Sequence, residues 1–194
     1  MRETQMRNTI LQVNENHKRI DTDYFKNYGG EEYSKTYTRY TTPADYLIED
    51  LLNNNIFFNT ILDVGCASGE LVRDLRRLGA SAYGIENNKK VLDKCVVPEY
   101  CCQLDMKEIY KIPPETFDVI FTNSMMYCFP QEFLNILKMI NRACKKAVYF
   151  YSPYLNESTV PDPYRVFLAS KIWCDKQFEE ANFLPVTNEI YKKI

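Results

Sequence analysis

The sequence predicts an α/β fold: a doubly wound, mostly parallel sheet with helices on both faces and a final antiparallel strand. Three observations carry this. The stretch ILDVGCASGE, Ile61 to Glu70, reads as strand, tight turn and helix: the apolar run Ile61, Leu62, Val64 stops at a glycine, and Leu71, Val72, Leu75 and Leu78 then recur at helical period. From residue 60 to 152 short apolar runs and helical patterns alternate, and such alternation means parallel strands flanked by helices. After a last helix, Thr187-Asn188 turns the chain into EIYKKI, read as the antiparallel strand. With 194 residues, the chain fits one domain and is long enough to bury a real core.

Taken in order, residues 1 to 20 are polar and hold the only histidine, His17, which has no acid-base partner assignable from sequence and is expected at the surface. Asp23 to Tyr46 is crowded with tyrosines, of which Tyr33, Tyr37 and Tyr40 share one helical face at i, i+4, i+7. That face either packs on the domain or covers a pocket. Thr42 caps and Pro43 opens a helix running to about Leu52. The core then reads as strand 60–64, helix 69–78 stopped by Gly79, strand 81–86, helix 88–95, strand near 100–104, strand 117–123, helix 131–144 and strand 147–152. Ser152 to Arg165 is rich in turn formers, with Pro161 and Pro163, and suits either a substrate loop or an ordinary connection. A helix near 173–182 holds the only tryptophan, Trp173, and Asn182 takes the left-handed position after it.

The glycine turn points to a ligand, and spacing decides which. Gly65 and Gly69 sit where the chain must reverse, and the free N–H groups of the new helix face the turn. A dinucleotide fingerprint from Gly65 would need glycine at 67 and 70, where this chain has Ala67 and Glu70; no Lys-Ser/Thr pair makes a phosphate loop. Both phosphate readings weaken. Asp63 precedes the turn, and Glu86 closes the next strand, SAYGIE, about where a ribose-binding carboxylate falls in such folds.

These motifs resemble those of the class I S-adenosylmethionine-dependent methyltransferases, in the small-molecule, type 11-like branch, with their Rossmann-like sheet. DVGCASG looks like the glycine-rich first motif, YGIENN the second with its acid, CCQLDM the adenine-side motif, and FDVIFTNSMMYCFP the strand-four motif beside substrate. The resemblance spans about Tyr24 to Pro153, with four motifs in the right order. It implies S-adenosylmethionine as cofactor and S-adenosylhomocysteine as product. Gly65, Cys66, Ala67 and Gly69 would form the floor under the methionine part, Asp63 would orient this loop or meet the amino group, and Glu86, assisted by Asn87, would take the ribose hydroxyls. Asp105 would accept from the adenine amino group while Met106 packs on the ring, with a helix cap as the other reading of Asp105. Asn123 and Ser124 would bond the cofactor, and Met125, Met126 and Tyr127 would face substrate. A lid over the methionine end would come from Tyr24, Tyr33 and Tyr40, with Phe25 beside them and Gly29 and Gly30 as hinge. This divides residues 1–194 into an N-terminal helical lid, 1–56, and an α/β core, 57–194.

Two departures bear on the reaction. The chain reads Asn123-Ser124-Met125-Met126 where adenine-N6 and glutamine methyltransferases carry Asn/Asp-Pro-Pro-aromatic, and Cys128 where many small-molecule relatives have histidine. Tyr127 is the candidate base that remains. Methyl transfer from a sulfonium needs an in-line nucleophile, and positioning alone supplies about 7–11 kcal/mol of barrier reduction, so a base is needed only where the acceptor must first lose a proton.

Composition narrows the acceptor and the compartment. Twenty-four basic against 26 acidic residues leave a net charge of −2, without a global field to gather nucleic acid; Arg76, Arg77, Lys145 and Lys146 are the candidate local patch, read as solvated faces. Seven cysteines, without a CxxC pair, read as reduced thiols and small core hydrophobes, with no metal site expected. No apolar run approaches the ~20 residues of a spanning helix, and the polar start lacks a signal-peptide core, so a cytoplasmic protein without membrane association is expected. The expected function is methyl transfer to a small-molecule or saccharide acceptor. Methylation of RNA or protein, or a cofactor-binding but inactive partner subunit, are the alternatives. Oligomeric state is open.

Overall fold

The computed structural model describes residues 11–16, 44–151 and 165–194. Seven strands form the main sheet: β2 (Thr60–Val64), β3 (Ser81–Glu86), β4 (Cys101–Gln103), β5 (Phe117–Thr122), β6 (Cys144–Phe150), β8 (Phe183–Pro185) and β9 (Ile190–Lys193). Their order is β4-β3-β2-β5-β6-β9-β8. The first five run parallel, and β9 lies antiparallel to both β6 and β8. The mostly parallel sheet with its antiparallel last strand is therefore as the sequence predicts.

Alternation along each strand splits the core into two layers. Leu62, Ile120 and Val148 face helices α4 (Pro130–Ala143) and α5 (Lys171–Glu180), where Phe133, Ile136, Leu137, Ile140, Cys174 and Phe178 are buried. Ile61, Val119, Phe121, Ala147 and Tyr149 face helices α1 (Ala44–Asn53) and α2 (Glu70–Arg77) through Leu47, Leu51, Leu71, Val72 and Leu75. Phe133 is the hub of the first layer, with ring centroids of Phe150, Phe167, Trp173 and Phe178 between 5.1 and 6.3 Å away. Full burial of one such side chain is worth about 1.5–3 kcal/mol. Helix α1 falls inside the segment expected as a lid, yet its apolar stripe is a core layer. The rest of that segment, with His17, Tyr24, Tyr33, Tyr40 and the Thr42-Pro43 helix start, lies outside the described residues, apart from 11–16 and 54–56. Most of the proline-rich stretch before residue 165 does too.

Other differences have local causes. The helix expected over 88–95 is a single turn, α3 (Lys89–Leu92), capped by the Asn88 side chain, which accepts from the Lys90 N–H at 3.1 Å. The chain leaves it early so that Val96 N–H can reach the Ser68 carbonyl, 2.9 Å away. Strand β6 begins at Cys144 instead of near 147: Cys144 already lies opposite Phe117, and Lys145 and Lys146 interrupt the apolar run where the register shifts before Ala147 pairs with Val119. A second sheet was not expected: β1 (Leu11–Val13) pairs antiparallel with β7 (Phe167–Ala169), Leu11 opposite Ala169. Two three-residue strands separated by most of the chain show too little alternation to be seen in sequence. The structure also bears out two turn residues: Gly79 at φ +96° ends α2, and Asn182 at φ +62° follows α5.

Candidate functional site

Strand order reverses between β2 and β5, and such sheets take ligands in the crevice at the carboxyl ends of the strands flanking that point. The loop leaving β2 lies there. Gly65, Ala67 and Gly69 all have positive φ, +83°, +49° and +78°. Gly65 and Cys66 N–H both donate to the Ile85 carbonyl, at 2.8 and 3.0 Å, which folds the loop over the end of β3. A Cβ on Gly65 would sit 2.5 Å from Ser124 Oγ, and one on Gly69 would sit 2.8 Å from Cys95 Sγ. Both glycines therefore answer to close protein neighbours as well as to backbone shape. Ser124 holds the other wall, its Oγ donating to the Val64 carbonyl at 2.8 Å and lying 3.1 Å from Thr122 Oγ1.

Three carboxylates converge on this loop. Glu86, 8% exposed, accepts from Ala67 N–H through Oε2 at 3.2 Å and from Asn88 N–H through Oε1 at 2.8 Å. Burial raises its pKa while these amides hold it down. Glu70, in the first turn of α2, takes the Ser68 hydroxyl on both oxygens at 2.7 and 2.8 Å. The positive end of that helix is thus already matched by a carboxylate of the chain. Asp63 is 2% exposed, and its Oδ2 has no hydrogen-bond partner among the described residues. Burial, and then the neighbouring Cys101, Glu86 and Glu70, push its pKa well above the usual carboxylate range.

The remaining site candidates divide. Asn87 is exposed at the end of β3, and its carbonyl accepts from Gln103 Nε2 at 3.2 Å. Asp105 caps the 3-10 turn Met106–Lys111, accepting from Lys107 N–H at 2.8 Å, and Met106 is half-buried against the core. Asn123 is half-buried beside Ser124. Met125 and Met126, expected to face substrate, are instead 0% and 1% exposed: the 3-10 turn Met125–Tyr127 rotates them into the layer around Phe133. Tyr127 is the half-buried residue of that turn. Cys128 is buried, donates to the Met125 carbonyl at 3.0 Å, and has its thiol pushed up to about 12 by burial.

Residues 62–152 match the family model described as a methyltransferase domain. This stretch, from β2 to just past β6, is thus a methyltransferase domain. Solved structures share the fold of this methyltransferase at low identity. A Pyrococcus horikoshii protein, PH0226, superposes at TM-score 0.65 with 16% identity, over 89% of this chain and 97% of that one. Magnesium protoporphyrin IX methyltransferase from Synechocystis PCC 6803, with bound SAH, gives 0.64 and 13%, over 89% and 97%. A chain from the complex of the Haloferax volcanii Trm112 methyltransferase activator with a methyltransferase gives 0.61 and 14%, over 84% and 75%. Among curated proteins, no sequence matches.

Sequence reasoning passed over part of the methyltransferase's loop. The Ser68–Glu70 pair carried a signal, a serine followed closely by an acid at a helix start. Thr122, wholly buried and turned onto Ser124, read only as strand. The thiols of Cys66, Cys95 and Cys101, gathered behind the loop, come from three separate segments and left no spacing to read.

Proposed function

We propose that this methyltransferase binds S-adenosylmethionine along the carboxyl ends of β2, β3 and β5 and transfers its methyl group to a small molecule or saccharide. The observation that carries the site is Asp63 Oδ2, a buried polar atom at the sheet's switch point without a partner among the described residues. A cation or N–H donor from a ligand satisfies it. The three carboxylates Asp63, Glu70 and Glu86 suit a cofactor bearing an ammonium and a sulfonium group. The Glu86 carboxylate has about four acceptor sites and keeps one beyond its bonds to the Ala67, Asn87 and Asn88 amides, open to a ribose hydroxyl. Gly65, Cys66, Ala67 and Gly69 form the floor, Asn87 and Asp105 with Met106 flank the nucleoside, and Asn123 and Ser124 close the far wall. Tyr24, Tyr33 and Tyr40 belong to the cover. When bound, the cofactor supplies an electrophilic methyl carbon. The chain's task is to orient it and hold an acceptor in line, and Tyr127 is the half-buried residue of the β5 turn left to meet that acceptor or take its proton.

A small acceptor is supported by charge. The cations read as a candidate patch are engaged: Arg76 lies over the Tyr100 ring and donates to the Ala82 carbonyl, Arg77 pairs with Asp74, and Lys145 and Lys146 both approach Asp118. They make no open phosphate track. One fold neighbour is a magnesium protoporphyrin IX methyltransferase, and a porphyrin is likewise a small acceptor. The seven thiols and the absence, among the described residues, of a helix long and apolar enough to cross a membrane support a cytoplasmic place. The likeness to a chain from an activator complex supports the second reading, a subunit that works with a partner. Glu86→Ala should weaken cofactor binding about ten- to hundredfold, the loss of bonds to a charged group, and should also lower stability, because the Ala67 and Asn88 amides lose their acceptor. Unchanged affinity in titration calorimetry would refute its role, and Glu86→Gln separates lost charge from lost shape.

A further inference from the structure

Behind the glycine loop three thiols share one pocket. A Cβ on Gly69 would meet Cys95 Sγ at 2.8 Å and Cys101 Sγ at 3.1 Å, so these sulfurs lie no more than about 5.9 Å apart. A Cβ on Gly84 would meet Cys66 Sγ at 2.5 Å and Cys101 Sγ at 3.0 Å. Cys101 is therefore the middle thiol, wedged between two glycines at the start of an edge strand. Cys95 lies in the turn after α3, and Val96 and Val97 fasten that turn to the loop through the Ser68 carbonyl and the face of Gly69. Cys66 is wholly buried, whereas Cys95 and Cys101 are half-exposed.

We infer that Cys95 and Cys101 form a peroxide-responsive disulfide that disturbs the back of the glycine loop and lowers cofactor affinity. The affinity clause rests on the proposed cofactor site; the disulfide does not. Cys101 is the attacking thiol. S–H donation from Cys66 and then Cys95 outweighs burial and the nearby Glu99 and Glu70, leaving its pKa at about 7, whereas Cys95 is pushed up to about 11. The thiolate is the reactive form. Its sulfur attacks hydrogen peroxide: an S–O bond forms, the O–O bond breaks, and hydroxide leaves to be protonated to water, giving a sulfenic acid. The Cys95 sulfur then attacks Cys101, the S–S bond forms, and the S–O bond breaks with release of a second water. Two thiols are oxidised and one peroxide is reduced.

Closing the sulfurs to the ~2.05 Å of a disulfide draws Cys101 from between the glycines or pulls the Cys95 turn inward. Either movement reaches Gly69 and Ser68 directly. Cys95 is the better partner than Cys66, because it sits in a turn while Cys66 is fixed by the hydrogen bond its N–H donates to the Ile85 carbonyl.

The experiment oxidises the reduced full chain with equimolar hydrogen peroxide, then cleaves it under non-reducing conditions after Glu99, which separates Cys95 from Cys101. A Cys102→Ser background removes the adjacent thiol. The expected result is one pair of peptides joined through Cys95 and Cys101, separated by dithiothreitol, with cofactor affinity about tenfold lower in the oxidised form and restored on reduction. Cys95→Ser should keep the affinity of the reduced parent and lose its response to peroxide. A Cys66–Cys101 link, retained thiols, or irreversible oxidation of Cys101 would overturn the proposal. A Cys95–Cys101 link with unchanged affinity would overturn its regulatory part. If the reduced protein binds no S-adenosyl ligand, the proposed cofactor site fails, and the peptide map still decides the disulfide.

Discussion

Asp63 enters the crevice almost wholly buried, with Oδ2 unpartnered among the described residues and two other carboxylates close by. The sequence named Asp63 for orienting the loop or meeting the cofactor's amino group, and the structure separates these roles: it is Glu86 that takes the Ala67 amide. A side-chain bond to a backbone amide 19 positions away is invisible in sequence, whereas the acid at each strand end is not. The raised pKa has a consequence for the ligand-free protein. Above the ordinary value of 3.8, the folded state holds this proton more tightly than the unfolded chain, so stability falls as pH rises through the window from there to the folded pKa. Asp63→Asn removes that dependence. Its melting temperature should exceed the parent's by more near pH 8 than near pH 5, with each kcal/mol worth about 2–4 °C in a chain of this size. Equal gains at both pH values, or a loss only at the higher, would show that Asp63 is not a buried charge.

Among the elements, those with long apolar periods were legible and the short ones were not. Strands β2, β3 and β5 and helices α2, α4 and α5 fall within about three residues of the expected bounds, because each places its buried residues at the right period. The single-turn α3, the 3-10 turn that buries Met125 and Met126, and the β1–β7 ribbon depend on contacts distant in sequence. Asp105 shows the limit within one residue: read from the family's motif as an adenine ligand, with a cap as the other reading, its side chain accepts from Lys107 N–H as a cap does. Helix α4 holds its layer together chiefly through Phe133, which meets four aromatic rings from β6, β7 and α5. Phe133→Ala should cost about 3–5 kcal/mol by denaturant unfolding. A loss below about 1 kcal/mol would mean that the ring cluster repacks around the vacancy.

Across the whole molecule, two buried layers fix the sheet from both sides and leave its carboxyl edge to do chemistry. That edge gathers residues from four separate segments: the loop after β2, the end of β3, the turn after β4 and the turn after β5. The four ordered motifs made this gathering legible, since each sits at the end of a parallel strand and the topology brings those ends together. The acceptor side was less legible because its candidates are a few turn residues whose orientation depends on tertiary packing, as Met125 and Met126 show. The most direct measurement is calorimetric titration of the purified, reduced protein with S-adenosylmethionine and S-adenosylhomocysteine, with NAD as control. Binding of both sulfur ligands in the micromolar range, about −8 kcal/mol, with no heat from NAD, is the expected result. Absence of binding by either sulfur ligand, or equal binding of NAD, would contradict the cofactor site built on Asp63, Glu86 and the glycine loop.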